Sequence, residues 1–273
     1  MHWLAALDHL RTSRQPGVLV TVTRVRGHAP RDAGAKLVVS DRDTWGSIGG
    51  GNLEATAVER ARRMLADGAD VPEQLDITLS ERARTEHGRQ CCGGEVSVLL
   101  EPLAVVPCVA VFGVGHVGHE LARILSRHDL DLHLVDSREE QLDVAMMSWL
   151  GEAVARVERH HSPLPEMVLD SLPAGTHVVV MTHDHAEDYA LCDAALRRAG
   201  LGSVGLIGSS AKWTRFQQRL AADGHPAHVV NRIHSPIGVP DLAGKEPASI
   251  AVAVAADLLQ VISRGHRSAD VSR

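Results

Sequence analysis

The sequence predicts an α/β protein in which a smaller N-terminal α+β domain is followed by a C-terminal Rossmann-like domain with a parallel sheet. Three observations carry this. β-branched segments punctuated by glycine turns occupy residues 18–100. From residue 109 onward strands alternate with helices. Between the first of those strands and its helix stands Gly113-Val114-Gly115-His116-Val117-Gly118, the spacing of a phosphate-binding turn. Two prolines within residues 101–107 interrupt the periodic pattern and mark a linker, which gives domains of residues 1–103 and 104–273.

Taken in order, residues 3–11 read as a short helix and residues 18–25 as a strand of alternating valines. A turn at residues 27–30 leads to a strand at 36–39, then a helix over 53–65. Residues 77–79 and 96–100 supply further strands. In the second half, strands at 109–112, 132–135, 177–181 and 204–207 alternate with helices at 117–127, 186–198, 211–222 and 247–262. Alternation of that kind implies a parallel sheet. The polar end, residues 263–273, reads as frayed. Neither an internal repeat nor a low-complexity tract is visible.

Composition narrows the function classes. With 34 acidic against 28 basic side chains and 3% aromatics, the chain has neither the charge nor the stacking platforms for a nucleic-acid partner. No apolar run reaches the roughly 18 residues of a membrane span, and histidines and an aspartate sit where a signal peptide would be apolar. The expectation is a cytoplasmic protein without a membrane partner. Cys108 and Cys192 stand alone, whereas Cys91 and Cys92 are adjacent in Gln90-Cys91-Cys92-Gly93-Gly94. Neighbouring thiolates are soft donors and nucleophiles, and the glycines let a bulky ligand approach the backbone. A disulfide between Cys91 and Cys92 would close a small strained ring, so free thiols are expected.

Two glycine clusters suggest anion contacts. Gly113, Gly115 and Gly118 open a helix, and Asp136 lies at the distance downstream expected of a ribose-binding acid. A dinucleotide is the functional reading there; an empty or reused Rossmann scaffold is the other. Arg138 suits either a 2′-phosphate or the surface. Gly49, Gly50 and Gly51 precede the helix at 53–65 and can form an anion nest, with a plain turn capped by Asn52 as the alternative. Glu54 fits the first helical turn. The nest lacks the Lys-Ser/Thr ending of a P-loop, so nucleotide hydrolysis is not indicated.

Other polar groups admit bland readings. His183-Asp184-His185 follows a strand and reads as loop structure before it reads as a metal site, and His160-His161 reads as solvent-facing surface. Ser209, Lys212 and Arg215 could converge on a phosphate or simply line a helix, as could the late loop His234-Ser235-Pro236-Ile237-Gly238 turn without function. No catalytic residue is assigned.

The ordered set of segments resembles the xanthine dehydrogenase accessory protein family, the XdhC/CoxI group. Arg26-Gly27-His28-Ala29-Pro30-Arg31 with Gly34-Ala35-Lys36 is similar to its early loop, residues 46–54 to its glycine-rich segment, and Gln90 to Gly94 to its cysteine motif. In the second half the resemblance covers residues 111–118, 134–138, 182–185, 205–216 and 234–238. Many relatives carry cysteine where this chain has Asn52, so any thiol role there falls to Cys91 and Cys92.

That resemblance implies a chaperone, not an enzyme. It would bind molybdenum cofactor (molybdopterin) transiently, keep it while a cysteine desulfurase supports replacement of an oxo ligand by sulfur, and pass it to the apo-xanthine dehydrogenase molybdenum subunit in purine catabolism. Cys91 and Cys92 would meet the metal or relay sulfur, and Gly49 to Gly51 would hold the phosphate. From the residues alone, an NAD(P)-dependent oxidoreductase, with Gly113, Gly115, Gly118 and Asp136 on the dinucleotide, stays open. So does a nucleotide-sensing module. A homodimer is compatible with the chain, symmetric dimers being the commonest oligomers.

Overall fold

A computed structural model describes residues 1–79, 94–240 and 244–271, the stretch 265–271 by its backbone alone. Cys91 and Cys92 lie outside the described residues. The chain divides into two compact units, Met1–Val106 together with Ala269–Arg273, and Pro107–Ser268.

The first unit contains helix α1 (Trp3–Ser13), strands β1 (Gly17–Arg26), β2 (Lys36–Val39) and β3 (Thr44–Gly46), helix α2 (Gly51–Ala66), and strands β4 (Glu73–Leu79) and β5 (Gly94–Leu103). Its strands form one antiparallel sheet in the order β3-β2-β1-β5-β4. Alternation along β1 explains the layering: Val18, Val20 and Val22 join Leu53, Ala57, Ala61 and Met64 of α2 in one core, spaced for a single helix face. Leu19, on the opposite face, packs with Ala6 and Leu10 of α1. Pairing of β1 with β5 slips between Val22 and Arg24, a bulge that re-aims the chain just before the Gly27 turn.

The second unit contains β6 (Cys108–Phe112), α3 (His116–Leu125), β7 (Asp131–Asp136), β8 (Arg156–His161), β9 (His177–Val180), α4 (His185–Arg197), β10 (Ser203–Leu206), α5 (Ser210–Ala222), α6 (Ala227–Val230), β11 (Ile233–His234) and α7 (Pro247–Val271). Its six parallel strands lie in the order β11-β10-β9-β6-β7-β8. Counted from β6, this is the 3-2-1-4-5-6 order of a doubly wound dinucleotide-binding sheet, with its switch point between β6 and β9. The core gathers Phe112, Val135, Val178, Val180 and Leu206 against Leu191, Ala195 and Leu220 of α4 and α5.

Several expectations are corrected. β5 runs through Glu101 and Pro102 to Leu103, because Pro102 sits opposite Val18 beyond the last β4 pair and needs no N–H there, so the irregular segment begins only at Ala104. Residues 263–271, expected to fray, continue α7, which runs to Val271. His160-His161 belongs to β8, the edge strand beside β7, and His160 is half-buried. Finally, Pro247–Arg264 has a mean hydropathy of 1.3 over 18 residues, enough by length and composition for a span. Of that window 28% is buried, at Ala251, Val254, Ala255, Leu258 and Ile262.

Candidate functional site

In the first unit the sequence motifs converge on the loop that follows β1. A side chain at Gly49 would strike Pro30, with Cβ 2.3 Å from its Cγ, and one at Gly94 would strike the carbonyls of His28 and Arg26 at 2.4 and 2.7 Å. The early loop is therefore gripped between the glycine-rich turn and the start of β5, which follows Cys91-Cys92 by two residues. Close backbone approach of this kind needs glycine.

The glycine-rich turn is an anion nest, and its anion is internal. Gly49, Gly50 and Gly51 adopt φ of 127°, 71° and 58°, conformations that side chains disfavour. This curls the backbone so that the amides of Ile48 and Gly50 donate to Oε2 of Glu54, each at 3.1 Å. Ser47 Oγ donates to the same oxygen at 2.6 Å and accepts from the Gly49 amide at 3.1 Å. Glu54 closes back from the first turn of α2, so the position expected to take a phosphate already holds a carboxylate. Asn52 is buried.

In the second unit the glycine turn lies at the carboxyl end of β6, beside the switch point. Gly113 has φ of 99°, and a Cβ there would lie 2.3 Å from the Met181 carbonyl. At Gly118 it would lie 2.2 Å from the carbonyl of Gly113, which is how α3 packs so close to the turn. Gly115 is open, its nearest neighbour being Nη2 of Arg138 at 4.0 Å. Gly118→Ala is accordingly expected to destabilise the unit by about 1–3 kcal/mol through overpacking, whereas Gly115→Ala is expected to stay within about 0.5 kcal/mol. Urea unfolding of the two variants measures the contrast.

Asp136, expected at a ribose, is fully committed elsewhere. Its Oδ2 accepts from the Val114 amide at 2.7 Å and from Nη2 of Arg138 at 3.1 Å. Oδ1 accepts from the Arg138 amide at 2.9 Å and from its Nε at 3.0 Å. Four donors fill the roughly four lone-pair sites of a carboxylate, and the side chain is 1% exposed. Burial by itself would raise its pKa, but the hydrogen bonds from Arg138 and Val114 together outweigh burial and hold it below 3.8. Thus Asp136 pins the glycine turn to β7 and has no acceptor left for a ribose hydroxyl. The open face of Gly115, the Arg138 guanidinium and the first amides of α3 suit a phosphate better than a sugar.

Other groups behind the switch point are structural. Asp184 caps α4, accepting from Ala186 and Glu187 amides at 2.7 and 3.0 Å, and these bonds lower its pKa. Asp188, 0% exposed, accepts from the amide and hydroxyl of Thr182 and pairs with the ammonium of Lys212. Lys212 also donates to the Ile207 carbonyl at 3.1 Å. Ser209 caps α5 and Arg215 turns back on Ala211, so Ser209, Lys212 and Arg215 do not converge on a phosphate. Cys108 and Cys192 are buried, and burial pushes the Cys192 thiol up to about 12, which makes it inert. Sequence reasoning missed the partners of Glu54, Arg138 and Asp188; the four-residue spacing of Gly50 to Glu54 was the one available hint.

Comparison with known proteins follows the same two units. The profile described as XdhC and CoxI family matches residues 10–76, and that of the XdhC Rossmann domain matches residues 109–258. The uncharacterized protein YqeB of Escherichia coli (strain K12) is 25% identical over 256 residues, covering 90% of this chain; the chain spans 43% of that protein's length. The molybdenum cofactor insertion chaperone PaoD of the same strain is 24% identical over 292 residues, covering 94% of this chain and 86% of PaoD. A solved chain described as a xanthine dehydrogenase from Bacillus halodurans superposes with a TM-score of 0.49 at 20% identity, over 97% of this chain and 96% of its own. With both of its units matched and the Rossmann profile alone spanning more than half of it, the chain belongs to the XdhC and CoxI family.

Proposed function

We propose that the protein is a molybdenum cofactor-binding chaperone that holds the cofactor for sulfuration and inserts it into xanthine dehydrogenase. The observation that carries the reading is the match of both units to this family, together with similarity to a cofactor insertion chaperone along nearly the whole chain. The convergence of the early loop and the glycine-rich turn on the start of β5 supports it, because in the sequence β5 begins two residues after Cys92. In this reading the two thiols are the soft donors toward molybdenum and toward sulfur delivered by a cysteine desulfurase, and the amides of the glycine-rich turn meet the cofactor's phosphate. The committed carboxylate of Asp136 speaks against a ribose-reading dehydrogenase.

The test is Cys91→Ser combined with Cys92→Ser in protein purified from a molybdate-fed host. Bound molybdenum, oxidised-pterin fluorescence after denaturation, and activation of apo-xanthine dehydrogenase are expected to fall at least about tenfold together, as for loss of ligating groups. Retention of all three at the level of the unaltered protein would overturn the thiol assignment, and absence of both molybdenum and pterin from the unaltered protein would overturn the function.

A further inference from the structure

We propose that His133, Glu158 and His160 form a binding site for a divalent transition-metal ion of the zinc class, built from residues other than those of the cysteine and glycine motifs. The three side chains come from neighbouring strands. His133 of β7 is the register partner of Glu158 of β8, and His160 follows two residues later on β8, so strand alternation places all three on one face of the sheet. Their candidate ligand atoms all lie within 4.8 Å of one another.

The geometry needs little change to accept an ion. His133 Nδ1 and His160 Nε2 are 2.9 Å apart, with the rings stacked at 26° and centroids 5.2 Å apart. A tetrahedral ion with bonds of about 2.0–2.1 Å sets its ligand atoms about 3.3 Å apart. Opening the pair by a few tenths of an ångström and turning the two rings so that both lone pairs meet one ion therefore replaces a shared proton by a metal. The proton need only move to the other nitrogen of its ring, so two neutral imidazoles become two ligands. Glu158 supplies the third: its Oε2 lies 3.8 Å from His133 Nδ1, and its side chain is 47% exposed, free to swing inward. Oε1 is turned toward Arg156 Nε at 3.6 Å, leaving the other oxygen for the ion.

The donor set selects the metal. Two imidazoles and one carboxylate match zinc and its first-row neighbours and disfavour calcium and magnesium, which take oxygen cages. His133 is 8% exposed and fixed within the sheet, while Glu158 opens to solvent. Three protein ligands leave a fourth position for water, the form of an exchangeable or reactive site rather than a closed structural one.

The test uses the full chain carrying Cys91→Ser and Cys92→Ser, so that thiols do not compete for the probe. Zn2+ titrated by calorimetry is expected to bind at one ion per chain, and Co2+ to give d–d absorption without thiolate charge transfer. His160→Ala and, separately, Glu158→Gln are expected to weaken Zn2+ at least about tenfold, since loss even of groups behind metal ligands does as much. Circular dichroism confirms folding; should His160→Ala unfold, the exposed Glu158→Gln decides alone. No Zn2+ bound, or unchanged affinity in a folded variant, overturns the site.

Discussion

Replacing Asp188 by alanine is expected to remove about 3–5 kcal/mol of stability from the Rossmann-like unit, the usual effect of leaving one member of a buried ion pair without its partner. The argument rests on burial: the side chains of Asp188 and Lys212 are 1% and 9% exposed. Alanine would strand the Lys212 ammonium beside the Ile207 carbonyl and leave the Thr182 amide and hydroxyl without their acceptor. Lys212→Met leaves the complementary carboxylate buried and is expected to fall in the same range. A combined Asp188→Ala and Lys212→Met variant should lose clearly less than the two single losses added, because the second change removes the charge the first one stranded. Urea unfolding of the four proteins measures this. A single-variant loss under about 1 kcal/mol, typical of an exposed pair, would show that the pair is solvated.

Asp136→Asn is the second large effect, expected at about 2–4 kcal/mol near neutral pH. An amide cannot accept from all four donors that Val114 and Arg138 present, so the turn after β6 loses its anchor. Acid sharpens the test. The folded-state pKa of Asp136 lies below its ordinary value of 3.8. Its contribution is therefore fully present above that value and is lost as pH falls through the lower folded value. The gap between the unaltered protein and Asp136→Asn is expected to be constant from pH 7 to pH 5 and to close on further acidification. Unfolding at pH 7, 5 and 3 reads it; a gap that widens toward acid would show that another group governs the turn.

Where local pattern and tertiary role agree, the sequence was legible. The alternating valines of β1 bury one face as their spacing requires, and Gly113 and Gly118 of the β6–α3 turn occupy positions where a Cβ would strike backbone. β3 and β11, three and two residues long, are too short to leave a periodic trace. β8 was hidden by its own composition: His160-His161 read as surface, and Arg156, Glu158 and Arg159 beside them are as polar, since an edge strand carries polar groups that discourage pairing with another chain. The candidate site was half visible. Glycine and acid at the right separation point to an anion-binding turn, but only the fold shows that Glu54 occupies one turn from within and that Arg138 consumes the acceptors of Asp136. Polar residues such as Asp188 and Lys212 look solvent-facing in a helical pattern, since nothing in a linear sequence records that each is the other's counter-ion.

If the proposed function holds, the carboxylate seated in the glycine-rich turn would make that turn an ion exchanger. An incoming anion that takes the amides of Ile48 and Gly50 must evict Glu54, which is tethered to the same helix and never diffuses away. Net affinity is then the difference between two sets of nearly equivalent contacts, and departure of the guest is assisted by the returning resident. Such a turn would grip weakly and let go readily, without leaving its amides bare.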